Sequence, residues 1–403
     1  MNVGILNAGG DCPGLNAVIE GAVGAAAARG WNVIGFYDGF EGLLSTPENE
    51  RWRMLTPENC HNIRSQGGTI LGTVNKGNFT VKSGVGGRMQ IADEVLAQSK
   101  ATVERLGLKA LIVVGGDGSQ TIGNELRAIG LPIVGVPKTI DNDLVGTDHT
   151  PGFGSAAKYL AVTLQEIIRD CAVYTTRAVT VVECMGRDAG WLTASTAIPR
   201  ALGRPAPDLV YLPEKAFDME AFFASLEKKF EEKPNLVVAV SEGLQFADGT
   251  FVGEGQQSGA TDVFGHKYLS GTGKALECAI KERFGCKVRS VELNLPQRCA
   301  AHILSNTDIS ESIEIGKEAA LCAASGKSGG VVMLRRLEGE AYAYDLCFVD
   351  VKTVANQTRF VPDTFINEEA NNVTDACCAY LLPLIEGERD LIWEHGLPKH
   401  IVL

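Results

Sequence analysis

Short apolar runs of about five residues alternate along this chain with longer stretches of helical periodicity, and few architectures accommodate that alternation. Such runs suit strands buried on both faces, and strands of this kind separated by helices build parallel sheets covered on both sides. Val3–Leu6, Val33–Phe36, Leu111–Val114, Ile133–Val136, Val179–Val182, Leu236–Val240 and Val331–Leu334 read as the strands. Helices are expected over Leu15–Ala28, Arg88–Leu106, Ala156–Arg169, Met219–Phe230, Lys267–Arg283 and Ser310–Ala324.

The fold class expected is therefore α/β, three-layered, with mostly parallel sheets. At 403 residues, 45% of them apolar, the chain is long enough for two compact domains. No repeat or low-complexity linker separates the halves. The division is placed near the 137–141 loop, giving units 1–137 and 138–403, with part of the C-terminal region crossing back to the first.

Acidic residues number 49 against 37 basic, a net charge of −12, which leaves no electrostatic footprint for nucleic acid or an anionic membrane. An anionic ligand must then be held by a local basic pocket. The opening MNVGILNAGG runs directly into a strand, and no apolar segment reaches about 18 residues, so a cytoplasmic protein is expected. The 11 cysteines show no zinc-finger spacing and read as reduced thiols.

In open α/β sheets ligands sit at the carboxyl ends of strands, which directs attention to three loops. In NAGGDCPGLN the glycines around Gly9 and Gly10 let backbone N–H groups approach a phosphate, although a tight structural turn would use them equally. In LIVVGGDGSQTIGN the strand breaks at Gly115-Gly116, presents Asp117, and restarts as a helix at Ser119. Asp117 there suits either a Mg²⁺ completed by phosphate oxygens and water or a helix cap. In IVGVPKTIDNDL, Asp141 and Asp143 follow a buried strand, so that one carboxylate can face an attacking hydroxyl while the other supports a metal or the loop. Lys138 adds fixed positive charge for a phosphoryl group in transfer. A solvated turn is the other reading of those carboxylates. ASGKSGG and GTGKA fail the P-loop spacing and are set aside.

GGDCPGLNAVI, GGTILGT, GGDGS, PKTIDND and VVECMGRDAG occur in this order, and together they resemble the 6-phosphofructokinases of the large phosphofructokinase family. The resemblance runs to about Arg298 and is weaker beyond. It implies two Rossmann-like domains with the active site in the cleft between them. It also implies transfer of a phosphoryl group, with Mg²⁺ as cofactor, to the 1-hydroxyl of fructose 6-phosphate in a homodimer or homotetramer. Asp141 would be the general base, with Lys138, Thr139, Asp143 and Arg187 beside it. Asp117 would bind Mg²⁺, and Gly10, Gly116, Gly118 and Ser119 would line the donor phosphates. Met185, Gly186, Arg187 and Glu242 would hold the sugar. Arg289 and Arg298 would clamp its 6-phosphate, often with one supplied across a subunit interface.

The chain also departs from the family pattern. Ala178 replaces a common arginine, with Arg177 one position earlier, and Leu295 replaces a common histidine. Lys76 stands near, but displaced from, a usual arginine that contacts the donor phosphates. Glu20 and Gly24 occupy the places of effector-binding arginines in regulated bacterial members, so that familiar regulation is not expected. Pyrophosphate-using relatives generally pair an aspartate after GGD with the lysine of PKTIDND, whereas ATP-using relatives generally have glycine there. Gly118 together with Lys138 is a mixed signature. Room for the α-phosphate favours ATP, with pyrophosphate as the alternative donor. A catalytically silent sugar-phosphate sensor should lack Asp141 or Asp117, and a dinucleotide oxidoreductase should carry G-x-G-x-x-G; neither condition is met.

Overall fold

The computed structural model describes residues 1–74, 77–79, 82–83, 89–254, 271–339, 341–354 and 357–399. The large sheet contains β1 (Asn2–Asn7), β2 (Asn32–Phe36), β3 (Trp52–Leu55), β4 (Leu108–Gly115) and β5 (Ile133–Pro137). The small sheet contains β6 (Ala178–Cys184), β7 (Leu209–Tyr211), β8 (Asn235–Ser241) and β9 (Lys287–Glu292). Two late strands, β10 (Gly330–Arg336) and β11 (Tyr344–Asp350), return to the large sheet, whose order is β11-β10-β5-β4-β1-β2-β3. Residues 330–350 thus join the first sheet. The small sheet runs β9-β6-β8-β7 and is parallel throughout. In the large sheet only the β2–β3 and β10–β11 pairs are antiparallel.

Each expected strand lies inside an observed one, because alternate side chains enter opposite cores. Val3 and Ile5 of β1 face one apolar cluster while Leu6 faces another; Ile112 and Val114 divide from Leu111 and Val113 in the same way along β4. The strands that were not expected are edge strands. Lys287–Glu292 alternates exposed and half-buried residues, and Leu209–Tyr211 is too short to show a period.

The helices are α1 (Leu15–Ala27), α2 (Asp93–Arg105), α3 (Asp117–Leu126), α4 (Phe153–Ala172), α5 (Trp191–Ser195), α6 (Met219–Glu232), α7 (Thr272–Phe284), α8 (Pro296–Cys299), α9 (Asn306–Ala324) and α10 (Asp375–Leu381). The expected starts at Arg88 and Lys267 lie outside the described residues. Helix α9 begins earlier than its apolar period suggests because the Ser305 side chain caps it, accepting from Asp308 N at 3.3 Å. Helix α4 likewise begins at Phe153, where buried Asp308 accepts from Gly152 N at 2.8 Å and from Ser155 N at 3.1 Å. Helices α1 and α9 touch through glycine: a Cβ on Gly21 would lie 2.1 Å from Ile313 O, and one on Gly316 2.1 Å from Val18 O. No helix of the described residues is long and apolar enough to cross a membrane. All eleven cysteines are free.

Between β5 and α4 the chain carries a buried polar junction. His149 Nδ1 lies 2.9 Å from Asp148 Oδ2 and its Nε2 2.6 Å from Glu311 Oε2. Tyr342 donates to Glu311, and Arg336 Nε donates to Asp148 at 3.2 Å. Burial alone would push the imidazole down, but Glu311 and Asp148 outweigh it and hold its pKa up at about 9. His149 is then a cation between two carboxylates. A raised histidine contributes stability that is fully present below its unfolded value of about 6.5 and is lost as pH rises through about 9. His149→Gln should therefore cost on the order of 2 kcal/mol near pH 6.5. The gap from wild type, followed by thermal or urea unfolding, should narrow as pH passes 9; a gap independent of pH would contradict a charged His149.

Candidate active site

In the large sheet the connection from β1 leads to β2 on one side, while β4 leads to β5 on the other. The loops after β1, β4 and β5 consequently share one crevice at the carboxyl edge. The loop after β1 turns at Gly9, whose φ is 90°. A Cβ on Gly9 would lie 3.1 Å from Lys138 Nζ, and one on Gly10 would lie 3.2 Å from Arg298 Nη1. Two cations thus overhang a stretch of bare backbone. Lys138 is buried and donates from Nζ to Gly10 O at 2.7 Å. Burial pushes its ammonium pKa down, while Cys12, Asp11 and Asp141 oppose that shift.

Neighbouring segments fix the loop. Thr73 Oγ1 donates to Gly9 O at 2.5 Å. Asn16, at the start of α1, donates to Gln66 O and Gly68 O and accepts from Ile70 N, holding GGTILGT against the helix. After β4, Gly116 is extended and Asp117 opens the ten-residue α3. Gly118 and Ser119 lie in its first turn, where free N–H groups and the helix dipole favour an anion. Gln120 Nε2 donates to Gly115 O at 3.0 Å and Val136 O at 2.9 Å, tying the ends of β4 and β5 together.

The loop after β5 carries the carboxylates. Thr139 Oγ1 accepts from Asp141 N at 3.1 Å, and Thr150 Oγ1 donates to Thr139 O at 2.6 Å. Asn142, fully buried, adopts a left-handed φ of 56°, which sets Asp141 and Asp143 on either side of it. Burial raises the pKa of Asp141; Arg187 is the strongest charge opposing this, and Asp188 adds to it. Burial and then Asp141 push Asp143 up to about 7, with Asp117 contributing.

The small sheet supplies the facing wall. After β6, Met185 N donates to Gln297 Oε1 at 3.1 Å and Gly186 N to Glu242 Oε1 at 3.2 Å. A Cβ on Gly243 would lie 1.8 Å from Arg187 O, so only glycine lets the loops after β6 and β8 approach this closely. Burial and then Asp141 push Glu242 up to about 8. A pocket lined by Glu183, Cys184, Met185, Glu242, Glu292, Asn294 and Gln297 opens here.

Sequence comparison decides the family. A model of the phosphofructokinase family matches residues 2–319. The chain belongs to the phosphofructokinase family. It is 34% identical to a pyrophosphate–fructose 6-phosphate 1-phosphotransferase of Xanthomonas campestris, over 98% of this chain and 94% of that one. It is 36% identical to an ATP-dependent 6-phosphofructokinase of Chloroflexus aurantiacus, over 83% and 87%. Among solved structures, a pyrophosphate-dependent phosphofructokinase from Nitrosospira multiformis is similar with a TM-score of 0.85 at 26% identity, covering 99% of this chain and 95% of that one.

Of the residues singled out from sequence, Asp141, Asp143, Lys138, Arg187 and Arg298 share one electrostatic neighbourhood with Asp117 and Glu242. Arg289 does not join them within this chain. It is exposed on β9, with Nη1 4.0 Å from Asp170 Oδ2. Arg177 stacks 4.4 Å over Phe230, in a packing role, and Leu295 is exposed. Glu20 pairs with Arg64 at 2.8 Å. Lys76 lies outside the described residues. Gln297, which orients Met185, and Gln120, which ties two strand ends, were not singled out, because an amide within a helix carries no pattern of its own.

Asp143 titrates against the fold. With its pKa raised from 3.8 to about 7, it is neutral in both states at low pH and costs stability increasingly between those values, in full above 7. Asp143→Asn should therefore stabilise the protein by about 1–3 kcal/mol at pH 8 relative to its effect at pH 4. Unfolding curves at the two pH values check this, and an equal effect at both would refute the raised pKa.

Proposed function

We propose that this chain transfers the terminal phosphoryl group of ATP to the 1-hydroxyl of D-fructose 6-phosphate, giving fructose 1,6-bisphosphate and ADP. The observation carrying this reading is the convergence of Asp141 with Lys138, Arg187 and Arg298, of which Lys138 and Arg298 overhang the bare Gly9-Gly10 backbone. A base lies beside three fixed cations, where an anion can approach backbone N–H groups. Phosphoryl transfer asks for that combination: positioning, charge stabilisation and one proton acceptor.

In this reading Asp141 takes the proton of the 1-hydroxyl as the oxygen attacks phosphorus, assisted by Thr139 and Asp143. Its raised pKa brings it closer to the working pH as a base. Lys138 and Arg187 balance charge on the group in transfer. The donor phosphates lie along Gly10, Gly116, Gly118 and Ser119. Met185, Gly186 and Glu242 hold the sugar, and a neutral Glu242 can donate as well as accept. Arg298 grips the 6-phosphate from within the chain, and Arg289, exposed on β9, would serve a second copy in a homo-oligomer.

Asp117 would hold Mg²⁺. Among the described residues no three His, Cys, Asp or Glu side chains form a closed cage, and a single carboxylate at a helix N-terminus fits an ion completed by phosphate oxygens and water. When bound, the ion neutralises charge on the donor phosphates.

The donor turns on Gly118. It lies at the second position of α3, and in this reading its missing side chain leaves room for the α-phosphate of ATP. Pyrophosphate is the second reading, favoured by buried Lys138 and by the name of the Xanthomonas relative.

Two experiments test the proposal. Asp141→Ser should lower kcat by about 10²–10⁴-fold while leaving fructose 6-phosphate binding nearly intact; more than about a tenth of wild-type kcat would remove Asp141 as the base. Wild type and Gly118→Asp should also be assayed with each donor and Mg²⁺. Two like charges about 4 Å apart at an effective dielectric of about 20 repel by roughly 4 kcal/mol, about a thousandfold in affinity. Wild type should prefer ATP, and the variant should lose ATP use selectively while pyrophosphate use persists or appears. A wild type active only with pyrophosphate would transfer the assignment to the second donor.

A further inference from the structure

The segment around residue 359 lies beyond the 2–319 stretch matched by the family, yet it touches the carboxylate loop directly. Arg359 N donates to Asp143 O at 2.8 Å, and Leu144 and Thr358 form an antiparallel bridge. The Arg359 guanidinium donates from Nη1 to Asn142 O at 3.4 Å and from Nη2 to Tyr380 Oη at 2.9 Å. It also lies 4.1 Å over the ring of Trp191, whose Nε1 donates to Arg359 O at 2.9 Å. One residue therefore holds two successive carbonyls of the Asp141-Asn142-Asp143 turn and the first residue of α5, which follows the Arg187 loop.

The turn needs such support. Asn142 is left-handed, and among the described residues both its side-chain polar atoms are buried without a hydrogen-bond partner, an arrangement that costs on the order of 1–3 kcal/mol. A conformation this costly persists only where its surroundings impose it. The contacts available to impose it are the Thr139 and Thr150 hydrogen bonds on one side and Arg359 on the other. The same segment reaches the Arg187 loop a second time: Val361 N donates to Glu214 Oε1 at 2.9 Å, and that oxygen also accepts from Gly190 N at 2.8 Å. Tyr380 Oη, which accepts from Arg359, donates to Asp148 Oδ1 at 2.6 Å and so reaches the buried His149 junction.

We propose that Arg359 is a positioning residue for the reaction, setting the direction of the Asp141 and Asp143 carboxylates against Arg187 through its grip on the Asn142 and Asp143 carbonyls. It touches no substrate in this scheme, and its effect on turnover rests on the activity proposed above. Misplacing a reacting group by about 1 Å costs on the order of a hundredfold in rate with little change in binding.

The test uses the full-length protein with fructose 6-phosphate and both donors. Arg359→Ala should lower kcat by about 10- to 100-fold with both KM values within about threefold of wild type. Millimolar methylguanidinium, which refills the vacated site over Trp191, should restore part of the loss. Arg359→Lys keeps the stem and charge but lacks the planar fork, so an intermediate kcat is expected; it decides the matter if the alanine variant does not fold. Amide hydrogen exchange across residues 139–145, read in the same variants without substrate, should quicken selectively. A folded variant with wild-type kcat, a loss shared equally with KM, or unchanged loop exchange would overturn the proposal. A wild type inactive with both donors would overturn the assigned reaction instead, and the exchange measurement would still judge the placement of Arg359.

Discussion

The cleft is organised by the cost of burying carboxylates beside one another. Asp141 raises both Asp143 and Glu242, and Asp117 and Asp188 contribute in turn. Left alone, such a group would take up protons or open to water. Lys138, Arg187 and Arg298 oppose this at Asp141, each drawing it back toward its charged form although burial still leaves its pKa raised. The same cations are what an acidic chain of net charge −12 needs to receive a phosphate. In the activity proposed, substrate recognition and the electrostatics of the cleft therefore use the same three side chains. Removing one of these cations would disturb the protonation of its neighbours as well as the binding of an anion.

Holding these groups in register falls to the packing beneath them. A single apolar cluster runs from β1, α1 and α9 through α4 to Val182, Val237 and Ala239 of the small sheet. The two sheets thus share a core. The Gly21–Ile313 and Gly316–Val18 approaches leave no room for α1 and α9 to slide past each other.

What could be read from the sequence follows from these distances. Strands buried on both faces announced themselves, since every residue from Leu111 to Val114 must be apolar. Edge strand β9 did not, because one side of KVRSVE meets water and its alternation resembles surface composition. The carboxylate loop was legible because Lys138, Thr139, Asp141 and Asp143 lie in one short stretch. Arg359 was not, since Asn142 is 217 positions away in sequence and no local pattern marks the pairing. His149 was missed for the same reason: its partner Glu311 is 162 positions away, and a histidine after an aspartate suggests nothing in isolation. The Arg289–Arg298 pair shows how little sequence spacing says about which side chains meet within one chain. Nine residues apart in the chain, the two point to different surfaces, because β9 ends between them and the chain turns through Leu293 and Asn294 into α8.

The C-terminal region does more than complete a sheet. Strands β10 and β11 extend the large sheet past β5, and residues 358–361 then cross to bond with both the carboxylate loop and the Gly190–Glu214 corner of the small-sheet wall. A chain ending near residue 319, where the family match ends, would leave Val134 and Gly135 without their β10 partners and the Asn142 and Asp143 carbonyls without Arg359. Both losses fall on β5 and its outgoing loop. The C-terminal region therefore holds the Asp141–Asp143 loop through main-chain hydrogen bonds. Side-chain identity is constrained at Arg359, where a planar cation bonds a carbonyl and a phenol while stacking on an indole.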